Sequence, residues 1–96
     1  MLTSACKVVH QKKEPYDVLI SRPSEWGNPF VIGKDGTRAE VIAKYEIWLR
    51  NNPKLMNKIM ELDGKILGCW CSPLPCHGDV IVKIINELKQ DKFFEY

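Results

Sequence analysis

A chain of 96 residues, 45% apolar and with a formal net charge of +2, supports one domain around one small core; its length excludes two cores, and three Trp, three Tyr and three Phe exclude a disordered chain. Basic and acidic side chains number 8 and 6 over residues 1–50 and 6 and 6 over residues 51–96, so no basic stripe tracks a phosphate backbone and duplex nucleic acid is not an expected partner. No apolar run approaches a membrane span, and MLTSACKVVHQKK lacks the apolar centre of a signal peptide. The chain is therefore expected to be soluble and cytoplasmic, with no membrane partner. There its four cysteines stay reduced and serve as ligands or reactive groups before disulfides.

In chain order, CKVVH (6–10) reads as a short strand and YDVLI (16–20) as a second. The short QKKEP connection predicts an antiparallel hairpin between them. SRPSEWGNPF (21–30) holds two prolines, a glycine and an asparagine, which exclude a helix and predict a shaped loop. FVI (30–32) is a candidate short strand before the GKDG turn. Thr37 and Glu40 form a T-x-x-E capping box, and Val41, Ile42, Tyr45, Trp48 and Leu49 mark one face of the helix it starts. Asn52-Pro53 opens a second helix, which Gly64 ends. KILGCW (65–70) reads as a buried strand that Pro73 and Pro75 stop, and residues 78–89 read as a third helix with Asp79 in its first turn. The tail DKFFEY fits either a last strand or an aromatic extension.

This order predicts a single α/β domain over residues 1–96, a small Rossmann-like sandwich of three to five mixed strands and about three helices. The path from the second strand through two helices to KILGCW is long enough for a parallel crossover. Ligands in such sheets bind beyond the carboxyl ends of the parallel strands. SRPSEWGNPF and CSPLPCHGD both leave such ends, so two odd loops become one candidate site.

Cys69, Cys71, Cys76 and His77 offer four zinc ligands as C-x-C-x4-C-H, although adjacent Cys76 and His77 fit one ion poorly. Zinc is the one cofactor the sequence suggests. The simpler reading puts Cys69 in the core as a small hydrophobe, while Cys71, nearer the strand end, suits core and site equally. Cys76 and His77 precede a helix, whose N-terminus stabilises a thiolate or a bound anion, and Gly78 permits close backbone approach. Their alternative is a buried capping thiol beside a solvated histidine. In the other loop, Arg22 can grip a phosphate, Trp26 can stack on a ring, and Gly27 and Asn28 suit a ligand-facing turn. The alternative there is a rigid loop in which Trp26 covers the core and Arg22 pairs with Glu25. A phosphate loop at DGTRAE would add Lys34 and Arg38.

The paired motifs RPSEWGNPF and CWCSPLPCHGD, about forty residues apart with the capped helix between them, resemble a family of small bacteriophage and bacterial proteins known as a domain of unknown function. The likeness spans roughly residues 5–90. It implies a phage setting, with action in the host cytoplasm, and gives no reaction. A weaker likeness is to small Rossmann-like nucleotide-binding proteins, an analogy of fold alone.

The leading expectation is a protein that binds a nucleotide or nucleotide-derived signal and withholds it from host immunity. The ligand would lie among Arg22, Pro23, Ser24, Trp26, Gly27, Asn28, Cys71, Cys76, His77, Gly78 and Asp79. A 96-residue chain encloses a nucleotide with difficulty, so a homo-oligomer is expected. One alternative is a nucleotide or nucleoside hydrolase with Cys76 as nucleophile and His77 as proton relay. The other is a zinc-stabilised protein-interaction module.

Overall fold

The computed structural model describes residues 6–72 and 74–93, the side chains of 91–93 excepted. Three strands and three helices follow the chain as β1 (Lys7–His10), β2 (Val18–Leu19), α1 (Arg38–Arg50), α2 (Pro53–Met56), β3 (Ile66–Cys69) and α3 (His77–Phe93), with a 3-10 turn at Ile59–Leu62. The predicted α/β class holds. What was expected of Pro73 and of residues 94–96 lies outside the described residues, while the backbone of residues 91–93 continues α3. No helix among the described residues is long and apolar enough to cross a membrane.

The sheet corrects the expected hairpin and the expected mixed sheet. The strand order is β1-β3-β2, and both pairings are parallel, Val8 opposite Leu67 and Leu19 opposite Gly68. The physical reason lies in β3. ILGC is the only one of the three strands with nearly continuous burial, so it takes the centre, where both edges are hydrogen-bonded and both faces covered. Residues 11–17 must then carry the chain past β3 rather than fold it back on β1. Gly68 makes this short path feasible: a Cβ there would lie 2.6 Å from Cγ of Tyr16, whose ring occupies that space. Asp17 fastens the crossing, accepting from the Ile66 N–H at 2.8 Å while its own N–H donates to the Ile66 carbonyl at 2.7 Å.

Side chains alternate across the sheet. Leu67 and Cys69 join the main cluster with Tyr45 and Leu49 of α1 and Ile81, Ile84 and Ile85 of α3. Val9, buried outside that cluster, shares the opposite face with Gly68. The helix starts follow the sequence. Thr37 Oγ1 accepts from the Glu40 N–H and Glu40 Oε1 from the Thr37 N–H, and the Asn52 side chain accepts from the Leu55 N–H. FVI forms no full strand; Ile32 makes one isolated bridge to Gly36.

Candidate functional site

All three strands point their carboxyl ends to one rim. There the Ser21 hydroxyl donates to Gln11 Oε1 at 2.7 Å, linking the chain beyond β2 to the chain beyond β1. The 21–30 loop and residues 70–71 and 75–77 lie at the same rim and enclose a cavity of about 340 Å³. Cys69, Cys76 and His77, all buried, form its inner surface. Val41 and Ile42 of α1 and Phe30 form apolar wall, and Arg22, Arg38 and the half-exposed Trp70 stand toward solvent.

The loop is built by its own side chains. Ser24 N–H closes a turn on the Ser21 carbonyl at 2.9 Å, across a cis Arg22–Pro23 peptide. Ser24 Oγ accepts from the Trp26 N–H, and Asn28 accepts from the Phe30 N–H while donating to the Val41 carbonyl. Gly27 lies hard against Arg22, where a Cβ would meet Arg22 Cγ at 2.9 Å. These bonds leave Ser24 and Gly27 as loop formers. Pro23 is exposed, and neither it, Ser24 nor Gly27 lines the cavity.

Trp26 corrects the expected stacking platform. It is 5% exposed and packed in the core, and it does not line the cavity. The aromatic residues of the lining are Phe30 and Trp70, which the sequence does not single out, and Lys12 Nζ lies 5.3 Å from the Trp70 ring centroid. Glu25 pairs with Lys58 at 2.7 Å, so it does not neutralise Arg22. Arg22 donates to the Asn28 carbonyl and Arg38 to the Pro75 carbonyl, both at 3.1 Å. Among the described residues neither guanidinium meets a carboxylate, and no Asp or Glu lines the cavity. Lys34 is not in the lining, whereas Arg38 is.

The start of α3 corrects a second expectation. Cys76 is its N-cap: its Sγ accepts from the Gly78 N–H at 3.3 Å, and Asp79 Oδ2 accepts from the Cys76 N–H at 3.0 Å. This is a reciprocal cap in which the sulfur, in place of a hydroxyl, takes the N–H of the second helical residue. The Gly78 N–H is thus engaged, the Asp79 N–H bonds the Cys76 carbonyl, and Asp79 lines a separate shallow hollow. The helix terminus is closed upon itself and does not present these amides to a phosphate. Gly78 is needed for packing, since a Cβ would meet Ile20 Cδ1 and Val8 Cγ2 at 2.8 Å.

Cys69 Sγ and Cys76 Sγ lie 3.2 Å apart, both thiols free. With His77 they form a group whose donor atoms all lie within 4.8 Å of one another. Cys71 is not a member; it lines the cavity, and its N–H approaches Cys69 Sγ at 3.5 Å. His77 Nε2 bonds the Ile20 carbonyl at 2.7 Å, and its ring meets Tyr45 edge-on with centroids 5.0 Å apart. A carbonyl can only accept, so Nε2 is the donor in this bond. The sequence placed a lowered pKa on Cys76, and the structure moves it to Cys69. The neighbouring Cys76 thiol, then His77 and the Cys71 N–H, hold Cys69 down at about 4. Cys76 keeps the shared proton, and the thiolate beside it and burial push it far up. The group can hold a soft or borderline metal ion or present one buried thiolate to the cavity.

A three-stranded parallel α/β domain with a Cys2His group beneath a cationic cavity is the class that fold and site define. The chain belongs to the family described as Domain of unknown function (DUF4326), whose model matches residues 5–87. It is 40% identical over 93 residues to the "Uncharacterized 12.4 kDa protein in nrdA-td intergenic region" of Enterobacteria phage T4, covering 92% of this chain and 84% of that protein. It is 31% identical over 78 residues to "Uncharacterized protein R718" of Acanthamoeba polyphaga mimivirus, covering 73% of this chain and 59% of that protein. No solved structure matches.

Proposed function

We propose that this protein binds a small anionic molecule with a planar ring, of mononucleotide class, in the cavity at the carboxyl rim of the sheet. The observation that carries the reading is the pair Arg22 and Arg38, two guanidiniums without a carboxylate partner among the described residues, lining a cavity that no Asp or Glu enters. Guanidinium forks suit phosphate oxygens, and Phe30 and Trp70 supply apolar faces for a base. The volume of about 340 Å³ lies near the lower bound for small-molecule pockets, roughly 300 Å³, which favours a mononucleotide over a dinucleotide in one chain. In a viral setting such a binder would act by withholding a nucleotide signal from its host.

Calorimetric titration with AMP, ADP and cyclic dinucleotides tests this reading. Mononucleotides should bind, and more weakly as salt rises. Arg22→Ala and Arg38→Ala should each weaken binding about tenfold or more, since a hydrogen bond to a charged group contributes roughly 1.5–3 kcal/mol. No binding by any of the panel, or equal affinity in the double variant, overturns it. The Cys69 thiolate supports a second reading, a thiol-dependent hydrolase. Turnover that Cys69→Ser abolishes while binding persists would select it.

A further inference from the structure

We infer that Cys69, Cys76 and His77 form a zinc site with three protein ligands, whose fourth position opens into the cavity and takes an anionic oxygen. Four observations converge on it, and none depends on the nucleotide reading. The donors are two sulfurs and an imidazole nitrogen, the set that zinc prefers, gathered within 4.8 Å and buried. Two thiolates on one tetrahedral zinc, at Zn–S distances of about 2.3 Å, sit about 3.8 Å apart. The observed 3.2 Å therefore needs to open by only about half an ångström, within the reach of small χ1 adjustments.

The outer contacts are those a metal centre requires. His77 donates its Nε2 proton to the Ile20 carbonyl, which fixes the ring and leaves Nδ1 as ligand, as metal-bound histidines do. Each sulfur also accepts a backbone N–H, Cys69 from Cys71 and Cys76 from Gly78, which offsets thiolate charge without supplying a competing side chain. Finally, no fourth Cys, His, Asp or Glu joins the group among the described residues, yet all three ligands face the same cavity. A structural zinc is closed by four protein ligands, whereas three ligands facing a cavity leave one position exchangeable. Arg22 and Arg38 line that cavity too, so the occupant of the fourth position is selected for negative charge.

The test uses the full chain, purified under reducing conditions without added metal. Elemental analysis should find one zinc per chain, retained against a weak chromogenic chelator. Replacement by Co2+ should give thiolate-to-metal charge-transfer absorption and the visible bands of tetrahedral cobalt. Those bands should shift when azide is added, because azide can enter only an open position. Cys69→Ser and His77→Gln should lower zinc affinity by at least about 100-fold, while Cys71→Ser leaves the stoichiometry unchanged. Circular dichroism reports the fold of each variant, and the wild-type stoichiometry and azide response stand without any variant. A wild-type chain that holds neither added zinc nor cobalt overturns the site. Loss of metal in folded Cys71→Ser, or a cobalt spectrum indifferent to azide, overturns the open position. Nucleotide affinity is measured separately, so this site and the proposed ligand can fail independently.

Discussion

Tyr45 joins three parts of the molecule. Its side chain is fully buried on α1, its ring packs edge-on against His77, and its hydroxyl donates to the Trp26 carbonyl at 2.7 Å. One residue thus fixes the 21–30 loop to the helix and braces the histidine of the Cys2His group. Tyr45→Phe should lower unfolding free energy by about 1–3 kcal/mol, because it removes a buried donor and orphans a carbonyl. Urea denaturation with an unchanged m-value is the measurement; a loss below about 0.5 kcal/mol would mean the bond contributes little. Such long-range bonds explain why single residues were only partly readable from the sequence. CHGD showed a helix start carrying a thiol and an imidazole, and the structure places both at the cavity. It could not show that Cys69, seven positions earlier, sits against Cys76 and takes the charge. Nor could the loop pattern show that Tyr45, nineteen positions away, holds Trp26 inward.

The path from β1 to β2 is the element most at odds with local reading. α1 announced itself through Thr37 and Glu40, α2 through Asn52-Pro53, and β3 through its unbroken apolar run. Each of those signals lies within a few residues of the element it specifies. The crossing of residues 11–17 depends instead on Gly68, some fifty positions later, where the missing side chain leaves room for Tyr16. A short connection between two strands otherwise argues for a hairpin. Gly68→Ala should therefore cost about 1–3 kcal/mol by overpacking. In a Tyr16→Ala background the same change should cost less than about 0.5 kcal/mol. A double-mutant cycle by urea unfolding measures the difference, and additive effects would show that the ring gives way freely. On the outside, Arg50 bridges Glu46 and Glu87 and Lys83 reaches Glu46, joining α1 to α3. These pairs are exposed, worth at most about 1 kcal/mol each, so the apolar seam rather than charge holds the helices together.

The molecule as a whole concentrates its titrating strain in the alkaline range. Burial, and then the Asp63 charge, push the Cys6 thiol up to about 11, while burial raises Tyr45 and the Cys69 thiolate raises Cys76. A group raised in the fold contributes stability that is complete below its unfolded value, near 9 for a thiol, and is lost as pH climbs toward the folded value. Cys69 works oppositely. Lowered to about 4, it contributes stability that is complete above the unfolded value and lost as pH falls through 4. Unfolding free energy should therefore fall between pH 9 and pH 11. Cys6→Ala should flatten that fall by up to about 2–3 kcal/mol, as a shift of two pH units requires. Urea titrations across this range check it, and parallel slopes in the two proteins would contradict it. The central position of β3 has one more consequence, for folding. Neither outer strand has a partner until residues 66–69 arrive, so every rung of the sheet joins residues 49 or 59 positions apart in the chain. The rim that carries the cavity is thus assembled by distant contacts, each of which must close a long loop first.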